Sequence, residues 1–188
     1  MKQDDPDAEL IERVGRRDPG AIRQLVGKKL PKLLALAARM LGDRHEANDV
    51  AQEVFIRIWK HAAQWRPGAA QFDTWVHRVT LNLCYDRLRQ MGKLSDDEAA
   101  EAIDPAPRPD QRLEQRDLKA EVAAALAGLP NRQREAIVLQ YYEQLSNGAT
   151  AELMGISVEA LESLLSRARR NLRGKLAGVA SIHDKEDV

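Results

Sequence analysis

The sequence predicts an all-α fold of two small helical domains, joined by a flexible acidic linker, with a helix-turn-helix in the C-terminal domain. Two observations predict it. Apolar residues recur at intervals of three and four positions, the helical period, whereas alternating strand patterns are hard to find. The two periodic blocks are separated by DDEAAEAIDPAPRPDQ, which is rich in acidic residues and proline and lacks large apolar periodicity. Such a segment buries too little apolar surface to order itself; a long surface loop within a single domain is the alternative.

The predicted boundaries follow the distribution of charge. Basic side chains outnumber acidic ones in both periodic blocks, whereas the segment between them and the end of the chain are acidic. The predicted parts are a first domain at 1–95, the linker at 96–117, a second domain at 118–179 and a tail at 180–188.

Composition excludes several classes of protein. The chain has 188 residues with 29 Lys+Arg and 29 Asp+Glu, a length that suits one or two packed domains. Its apolar runs are too short for a membrane-spanning helix, so we expect no direct membrane insertion. The acidic N-terminus lacks the apolar segment of a secretory signal, and a lone Cys84 excludes an internal disulfide. We therefore expect a cytoplasmic protein.

No catalytic site, cofactor site or metal site is predicted. The chain has no glycine-rich phosphate loop, and its four histidines are too scattered for a zinc site. His77 and Cys84 lie seven positions apart on one predicted helix, but two buried or half-buried helix residues explain them better than a nucleophile with its base.

Capping patterns in the first block predict four helices. Asp18 followed by Pro19 predicts a helix start, and Gly42 predicts the end of the next helix. Asp43 opens a third helix with a capping-box pattern, and Asp73 is placed to cap a fourth. The side chains predicted to face inward are, helix by helix, Ala21, Ile22, Leu25 and Val26; Leu33, Leu34, Ala37, Met40 and Leu41; Ala47, Val50, Ala51, Val54, Phe55 and Ile58; and Trp75, Val76, Val79 and Leu83.

The second block contains a helix-turn-helix pattern in SNGATAELMGISVEALESLLSRARRNLRGKL. Ala151, Gly155 and Leu161 follow one another at the motif's spacing of four and six positions. A small residue is needed where the helices cross, glycine permits the tight turn, and leucine anchors the second helix on the first. Two further helices are predicted before the motif, one that ends at Pro130 and one over 131–142. The other predicted core contacts of the motif are Thr150, Met154, Ile156 and Leu164.

The second helix of the motif, which Ser157 is predicted to cap, has the features of a recognition helix. Its predicted inward side chains are Val158, Leu161, Leu165, Ala168 and Leu172, and its predicted outward side chains are Glu159, Glu162, Ser163, Ser166, Arg167 and Arg170. A recognition helix presents such side chains to base edges in the major groove, and arginines toward its C-terminal half suit phosphates. The alternative is a solvated basic helix end that only complements the helix dipole.

Together the two blocks resemble the extracytoplasmic-function (ECF) sigma factors, the small bacterial initiation factors that give RNA polymerase its promoter specificity. The family's second conserved region is similar to ARMLGDRHEANDVAQEVFIRIWKHAAQW and FDTWVHRVTLNLCYDRLRQ. Its fourth conserved region is similar to LPNRQREAIVLQYYEQLSNGATAELMGISVEALESLLSRARRNLR. The resemblance covers residues 10–92 and 118–176, in the family's order and with a linker of suitable length.

The resemblance implies that the third helix docks on core RNA polymerase through Asp49, Gln52 and Glu53. These polar side chains lie one turn apart on the outward face of an amphipathic helix, where they can pair with basic groups of a partner. Without the family, an ordinary solvated helix face would explain them. Asn48 stands where the family usually has an acidic residue, which removes one charge from this face.

The resemblance also implies that the loop after the third helix captures the −10 promoter element as an unpaired strand. Aromatic faces stack on unpaired bases and arginine pairs with the backbone. The loop includes Pro67 and Gly68, and Trp75 is assigned to the core because of its apolar spacing. The residues assigned to −10 DNA binding are Trp65, Arg66, Gln71, Phe72 and Asn82.

The helix-turn-helix would bind the −35 element. Glu162 stands where many relatives carry a basic residue, and Ala160-Leu161 replaces a frequent Thr-Val pair. A glutamate accepts a hydrogen bond from cytosine N4, so this difference predicts a changed base preference. The residues assigned to −35 DNA binding are Glu162, Ser163, Ser166, Arg167 and Arg170.

The leading hypothesis is an ECF sigma factor that binds core RNA polymerase, recognises promoter DNA at the −35 and −10 elements and promotes promoter melting. The zero net charge predicts weak binding to free DNA, so that docking on polymerase has to bring both domains to the promoter. The resemblance implies control by an anti-sigma factor, often membrane-bound, and a linker that runs along the polymerase channel. A stand-alone helix-turn-helix regulator and a sigma mimic that binds an anti-sigma factor are the alternatives.

Overall fold

A computed structural model describes residues 5–66, 71–92 and 114–186, with the side chains of 114–118 and 178–186 excepted. All regular elements in these ranges are helices, which confirms the all-α prediction. The chain divides into two compact units, Met1–Met91 and Gly92–Val188. Most of the predicted linker, residues 96–113, lies outside the described ranges, as do Pro67 and Gly68.

The first unit is built from four helices: α1 (Ala8–Gly15), α2 (Pro19–Leu41), α3 (Arg44–His61), followed by a single 3₁₀ turn (Ala62–Gln64), and α4 (Phe72–Gln90). The caps predicted for α2 and α3 are confirmed. Asp18 accepts a hydrogen bond from the backbone N–H of Gly20 at 2.8 Å, and Asp43 accepts one from His45 at 2.7 Å. Gly42 ends α2 in the left-handed conformation, with φ at 68°.

The prediction of two helices within residues 18–42 is wrong. Pro31 lies inside α2 without ending it. Proline removes the hydrogen bond to the carbonyl four residues earlier, that of Gly27. Both Pro31 and Gly27 are exposed, so water can satisfy that carbonyl. The sequence pattern also misses α1, a short helix whose buried side chains are Leu10, Ile11 and Val14.

The start of α4 also differs from the prediction. Asp73 does not cap the helix; its carboxylate pairs with Lys29 of α2. The backbone N–H of Phe72, the first residue of α4, donates instead to Asp5 Oδ2 at 2.6 Å, across 67 positions of sequence. The N-terminal segment of the chain therefore caps α4.

A buried ion network joins this N-terminal segment to α2 and α4. Lys29 and Asp7 are 4% and 1% exposed. Lys29 Nζ donates to Asp7 Oδ2 at 2.5 Å and also to Asp73, while Lys28 donates to the other carboxylate oxygen of Asp7. Burial by itself would raise the pKa of Asp7, but hydrogen bonds and charge from the two lysines outweigh it and lower that pKa. Burial would likewise lower the pKa of Lys29, but Asp7 and Asp73 raise it.

We expect the first unit to lose stability in acid as Asp7 becomes protonated. A lowered folded-state pKa means that the carboxylate stabilises the fold above its unfolded value of 3.8. This contribution is lost as the pH falls through the lower folded value. Tryptophan fluorescence reports on the first unit in the full chain, because all three tryptophans, Trp59, Trp65 and Trp75, lie there.

The variant Asp7→Asn tests this expectation. It should be less stable than the wild type at neutral pH, and it should lose less stability than the wild type on acidification below about pH 4. Identical acid profiles for the two proteins would contradict the prediction.

The second unit contains α5 (Glu114–Ala127), α6 (Asn131–Ile137), which continues into a π-helical turn (Val138–Tyr142), α7 (Asn147–Met154) and α8 (Val158–Glu186). Two boundaries differ from the prediction. α5 begins inside the predicted linker. α8 continues through most of the predicted tail, where the sequence after Gly178 contains no glycine or proline to end a helix.

The helix-turn-helix formed by α7 and α8 confirms the motif. Ala151 and Leu161 are 3% and 0% exposed, and Gly155 adopts φ of 66° in the turn. Ser157 caps α8 by accepting a hydrogen bond from the Ala160 N–H at 3.2 Å. Val158 was predicted to face inward but is 38% exposed. It is the first residue of α8, and the first buried residue of that helix is Leu161, one turn later.

Arg134 of α6 is a buried charge that no sequence pattern indicates. Its guanidinium donates to the carbonyl oxygens of Leu126 at 3.0 Å and Leu129 at 3.1 Å, and also to that of Ala127. Carbonyls at the end of a helix lack partners within the helix. Arg134 therefore satisfies the C-terminal end of α5 and fixes α6 against it.

Candidate functional site

The residues predicted to bind polymerase lie on one side of α3. Asp49 and Gln52 are exposed and Glu53 is half-buried. Glu53 Oε1 pairs with Arg57 Nε, one turn later, at 3.2 Å. The predicted inward stripe of this helix is buried except for the half-buried Phe55, so the core fixes which side of α3 meets solvent.

Two large apolar side chains extend this side of α3. Ile56 and Trp59 are 47% and 52% exposed. They continue the spacing of three and four positions that begins at Asp49 and Gln52, so these residues share one stripe. We call this stripe the α3 face; it consists of Asp49, Gln52, Glu53, Ile56 and Trp59.

The α3 face borders an open groove. Its volume is about 460 Å³, and side chains of α4 that include Leu83, Asp86 and Arg87 form its other wall. The groove thus combines charged and apolar surface. The sequence analysis misses Ile56 and Trp59. In the sequence alone, an exposed apolar residue beside a buried stripe looks the same as a buried residue at the edge of that stripe.

An aromatic cluster stands at the junction between the 3₁₀ turn and α4. The ring centroid of Trp65 lies 5.4 Å from that of Phe72 and 6.0 Å from that of Trp75. Trp65 and Trp75 are half-buried, whereas Phe72 is 1% exposed. The assignment of Phe72 to DNA binding is therefore corrected. The N-terminal segment holds the first turn of α4 against α2, which turns the Phe72 ring into the core beneath Trp65.

The other residues assigned to −10 DNA binding are accessible. Arg66, Gln71 and Asn82 are exposed, and the Arg66 guanidinium donates to the Trp65 carbonyl at 3.2 Å. Arg78, which the sequence analysis does not single out, is also exposed and lies one turn before Asn82 on α4. The sequence contains a signal for Arg78, because it lies four residues before Asn82 and residues four apart share a helix face.

Trp65 carries an unusual polar atom. Its Nε1 is buried and finds no hydrogen-bond partner among the described residues. Buried indole N–H groups ordinarily have a partner, so the unsatisfied N–H distinguishes Trp65 from an ordinary core tryptophan.

The recognition helix presents most of its predicted set in one stripe. Glu162, Ser163, Ser166 and Arg170 are exposed, and Leu161, Leu164, Leu165 and Ala168 are buried behind them. Arg167 is half-buried rather than fully outward, so part of its side chain belongs to the packed side of α8. The stripe is acidic and polar at its N-terminal end and basic at its C-terminal end, where Arg173 is also exposed.

Other kinds of site find no support in the described ranges. No three His, Cys, Asp or Glu side chains come close enough there to hold a metal ion. Cys84 is buried, and His77 Nδ1 bonds to the Asp73 carbonyl within the same helix. In these ranges we also find no helix with the length and apolar character needed to span a membrane.

Comparisons with known proteins decide the family. The pattern of Sigma-70 region 2 matches residues 25–93, and that of Sigma-70, region 4 matches residues 119–172. The RNA polymerase sigma-H factor of Pseudomonas aeruginosa is 31% identical over 180 residues, which cover 90% of this chain and 93% of that protein. The ECF RNA polymerase sigma factor SigE of Mycolicibacterium smegmatis is 35% identical over 158 residues, which cover 82% of this chain and 61% of that protein.

The chain belongs to the ECF sigma factors. Solved structures agree with this assignment. CnrH, solved in complex with the cytosolic domain of CnrY, matches at 28% identity with a TM-score of 0.66, over 92% of this chain and 97% of that one. The sigma factor RpoE of Bartonella quintana, solved with the anti-sigma factor NepR, matches at 26% identity with a TM-score of 0.63, over 82% of this chain and 96% of that one.

The matches assign the elements of this ECF sigma factor to its two conserved regions. The region 2 match includes the α3 face, the aromatic cluster and α4, and the region 4 match includes the helix-turn-helix. α1 and Asp7 precede the region 2 match, so the ion network ties a segment outside the family pattern to the region within it.

Proposed function

We propose that this chain is an ECF sigma factor that binds core RNA polymerase through the α3 face, reads the −35 element with α8 and captures the −10 element beside Trp65. One observation carries the proposal. All the residues predicted to contact the −35 element, apart from the half-buried Arg167, are exposed along one stripe of a helix-turn-helix within the region 4 match. We assign the chain no enzymatic activity, because promoter opening uses binding energy and trapped bases. Its place would be the cytoplasm, with the polymerase.

The α3 face has the composition of a protein-binding surface. Its C-terminal half is apolar and aromatic, with Ile56 and Trp59, and its acidic residues lie in the N-terminal half. Interfaces are enriched in Trp at their centres, where one such side chain supplies much of the binding energy. We propose that Asp49 and Glu53 pair with basic groups of the polymerase while Trp59 is buried against it.

For the −10 element, we propose that Trp65, Arg66, Gln71, Arg78 and Asn82 hold the unpaired strand. The observation that favours this set is its mixture of an aromatic ring with an unsatisfied N–H, two exposed arginines and two exposed amides. Stacking and phosphate pairing are the interactions that hold single strands. Promoter melting would follow from the trapping of bases that leave the duplex.

We also propose control by an anti-sigma factor. The relative RpoE of Bartonella quintana was solved with the anti-sigma factor NepR. In this chain, Ile56 and Trp59 leave a large apolar surface exposed when no polymerase is bound. Exposed apolar patches of this kind mark sites of protein binding. An anti-sigma factor that covers the α3 face would compete directly with polymerase.

In vitro transcription tests the proposed function. Purified core RNA polymerase is supplied with a fragmented genomic DNA library, with and without the full chain. New transcripts that start downstream of a shared two-part motif are the expected result. Absence of new starts together with failure to bind core polymerase would contradict the proposal. Binding to duplex DNA at low salt would then separate a stand-alone regulator from a sigma mimic.

The variant Trp59→Ala is expected to weaken core polymerase binding by roughly 30-fold, a typical effect of truncating a Trp that carries much of the binding energy of an interface. The first unit should stay folded, because half of the Trp59 side chain already meets solvent. Affinity is measured with labelled core polymerase, and folding by circular dichroism.

Its control is Lys32→Ala, a change at an exposed position of α2 in the same unit. Lys32 is not part of the α3 face, so this variant should bind like the wild type. Equal affinity for Trp59→Ala and wild type would remove Trp59 from the proposed interface.

A further inference from the structure

A chain of three side chains leads from the body of the second unit to the recognition helix. Gln140 Nε2, in the π-helical turn after α6, donates to Asn147 Oδ1 at the start of α7. Asn147 Nδ2 in turn donates to Glu162 Oε1 on α8 at 3.4 Å. Gln140 and Asn147 are half-buried, and Glu162 is exposed. The polar chain therefore begins inside the unit and ends at the DNA-facing stripe.

The hydrogen bond from Gln140 to Asn147 determines which end of the Asn147 amide faces Glu162. An asparagine side chain has one accepting end and one donating end. Because Gln140 occupies the accepting end of Asn147, the donating end is directed to Glu162. A carboxylate has about four accepting positions, so one bond from Asn147 leaves the others open to a further donor.

We propose that Gln140 and Asn147 are positioning residues that hold the Glu162 carboxylate to accept a hydrogen bond from a cytosine amino group in the −35 element. The inference deepens the proposed function and rests on it. A negative side chain on a DNA-facing stripe is repelled by phosphates, so it must be aimed at a base to favour binding. Among the bases, cytosine presents its N4 amino donor in the major groove, which glutamate accepts.

Neighbouring charges support this role for Glu162. The exposed positive charge of the stripe lies about two to three turns further along α8, at Arg170 and Arg173, where it can meet phosphates. The residues next to Glu162 on the stripe, Ser163 and Ser166, are neutral. Glu162 thus has no basic neighbour on the stripe to neutralise it, and Asn147 is the donor that the structure places against it.

The test is base preference at the −35 element, measured by transcription from a promoter library randomised over that element. The full chain is used with core polymerase, and the wild type is expected to select cytosine at one position. Glu162→Ala should remove that selection. Glu162→Gln should shift it toward adenine, because a glutamine amide pairs with adenine N6 and N7.

The variant Asn147→Ala separates positioning from general structure. It should reduce the cytosine preference at that one position at least about threefold and leave the preferences at the other positions unchanged. Combined with Glu162→Ala it should have no further effect there. Glu159→Gln, at an exposed acidic residue one turn earlier on α8, is the control and should leave that position unchanged.

The possible outcomes are distinguishable. If the wild type yields no two-part motif, the proposed function fails and this inference with it. If the motif appears but none of its positions responds to Glu162→Ala, the sigma-factor function stands and the inference is overturned. If Asn147→Ala weakens all positions equally, Asn147 supports the fold of α7 and does not position Glu162.

Discussion

The double variant Asp49→Arg with Glu53→Arg is expected to abolish binding to core RNA polymerase. Placing like charges opposite each other in an interface costs several kcal/mol, so two reversals should lower the affinity by more than about 100-fold. Asp49 is exposed and Glu53 is half-buried, and neither supports the core of the first unit. Transcription from all promoters should therefore stop while the chain stays folded.

The fold supplies a closely matched control for this experiment. Glu9 and Glu12 are exposed acidic residues one turn apart on α1, and Glu12 pairs with Arg16 in the same i,i+4 geometry as Glu53 with Arg57. Glu9→Arg with Glu12→Arg changes the net charge by the same amount in the same unit. It also removes an equivalent surface ion pair, and such pairs contribute little to stability. This control should bind core polymerase like the wild type.

Comparison of the two double variants separates a specific contact from a general electrostatic effect. If both lose core binding, the total charge of the first unit matters and not the α3 face. If neither does, the polymerase-binding surface lies elsewhere. Tryptophan fluorescence of the first unit confirms that each variant is folded, and binding is measured directly with labelled core polymerase.

The helix-turn-helix could be predicted from sequence because its constraints are local. A small residue at the helix crossing, a left-handed turn and an anchoring leucine require particular residue types at fixed spacing, and Ala151, Gly155 and Leu161 supply them. The caps at Asp18 and Asp43 are local in the same way, since each bonds to backbone groups two and three residues later. Predictions of this kind need no knowledge of the rest of the fold.

The errors arise where distant segments meet. Asp5 caps α4, and Asp73 in the first turn of α4 pairs with Lys29 of α2. Residue spacing does not reveal either interaction, because the two partners lie far apart in sequence. Phe72 was assigned to DNA binding because aromatic residues beside a loop suit stacking, but its burial depends on how α4 packs on α2. Ile56 and Trp59 show the opposite case, since only the packed fold reveals that apolar residues of α3 remain exposed.

The candidate DNA-binding residues illustrate the same limit. The family resemblance indicates which positions of α8 face DNA, and exposure agrees for all of them except the half-buried Arg167. The family resemblance does not predict the hydrogen bonds among Gln140, Asn147 and Glu162, because these residues lie on three separate elements. The positioning role proposed for Gln140 and Asn147 would make base preference depend on residues that precede the recognition helix in sequence.

The variant Lys29→Met is expected to lower the free energy of unfolding of the first unit by about 3 kcal/mol, the low end of the loss on breaking a buried ion pair. Methionine retains most of the side-chain volume, so the loss comes from the charge. Asp7 would stay buried and would keep its ion pair with Lys28. Asp73, at the start of α4, would lose its ion pair with Lys29. Denaturant unfolding of the full chain, followed by tryptophan fluorescence, measures the effect.

Lys28→Met is the control, because Lys28 is the neighbouring residue, has the same chemistry and pairs with the same carboxylate. The two lysines differ in burial: the Lys28 side chain is 47% exposed and that of Lys29 is 5% exposed. Lys28→Met leaves Asp7 paired with the buried Lys29 and removes a cation that is already half in solvent, so its effect should be much milder. In the double variant Lys29→Met with Asp7→Asn, the two losses should not add, since each single change already breaks the same interaction. Equal losses from Lys28→Met and Lys29→Met would mean that burial does not strengthen the network and that other contacts hold the N-terminal segment on α4.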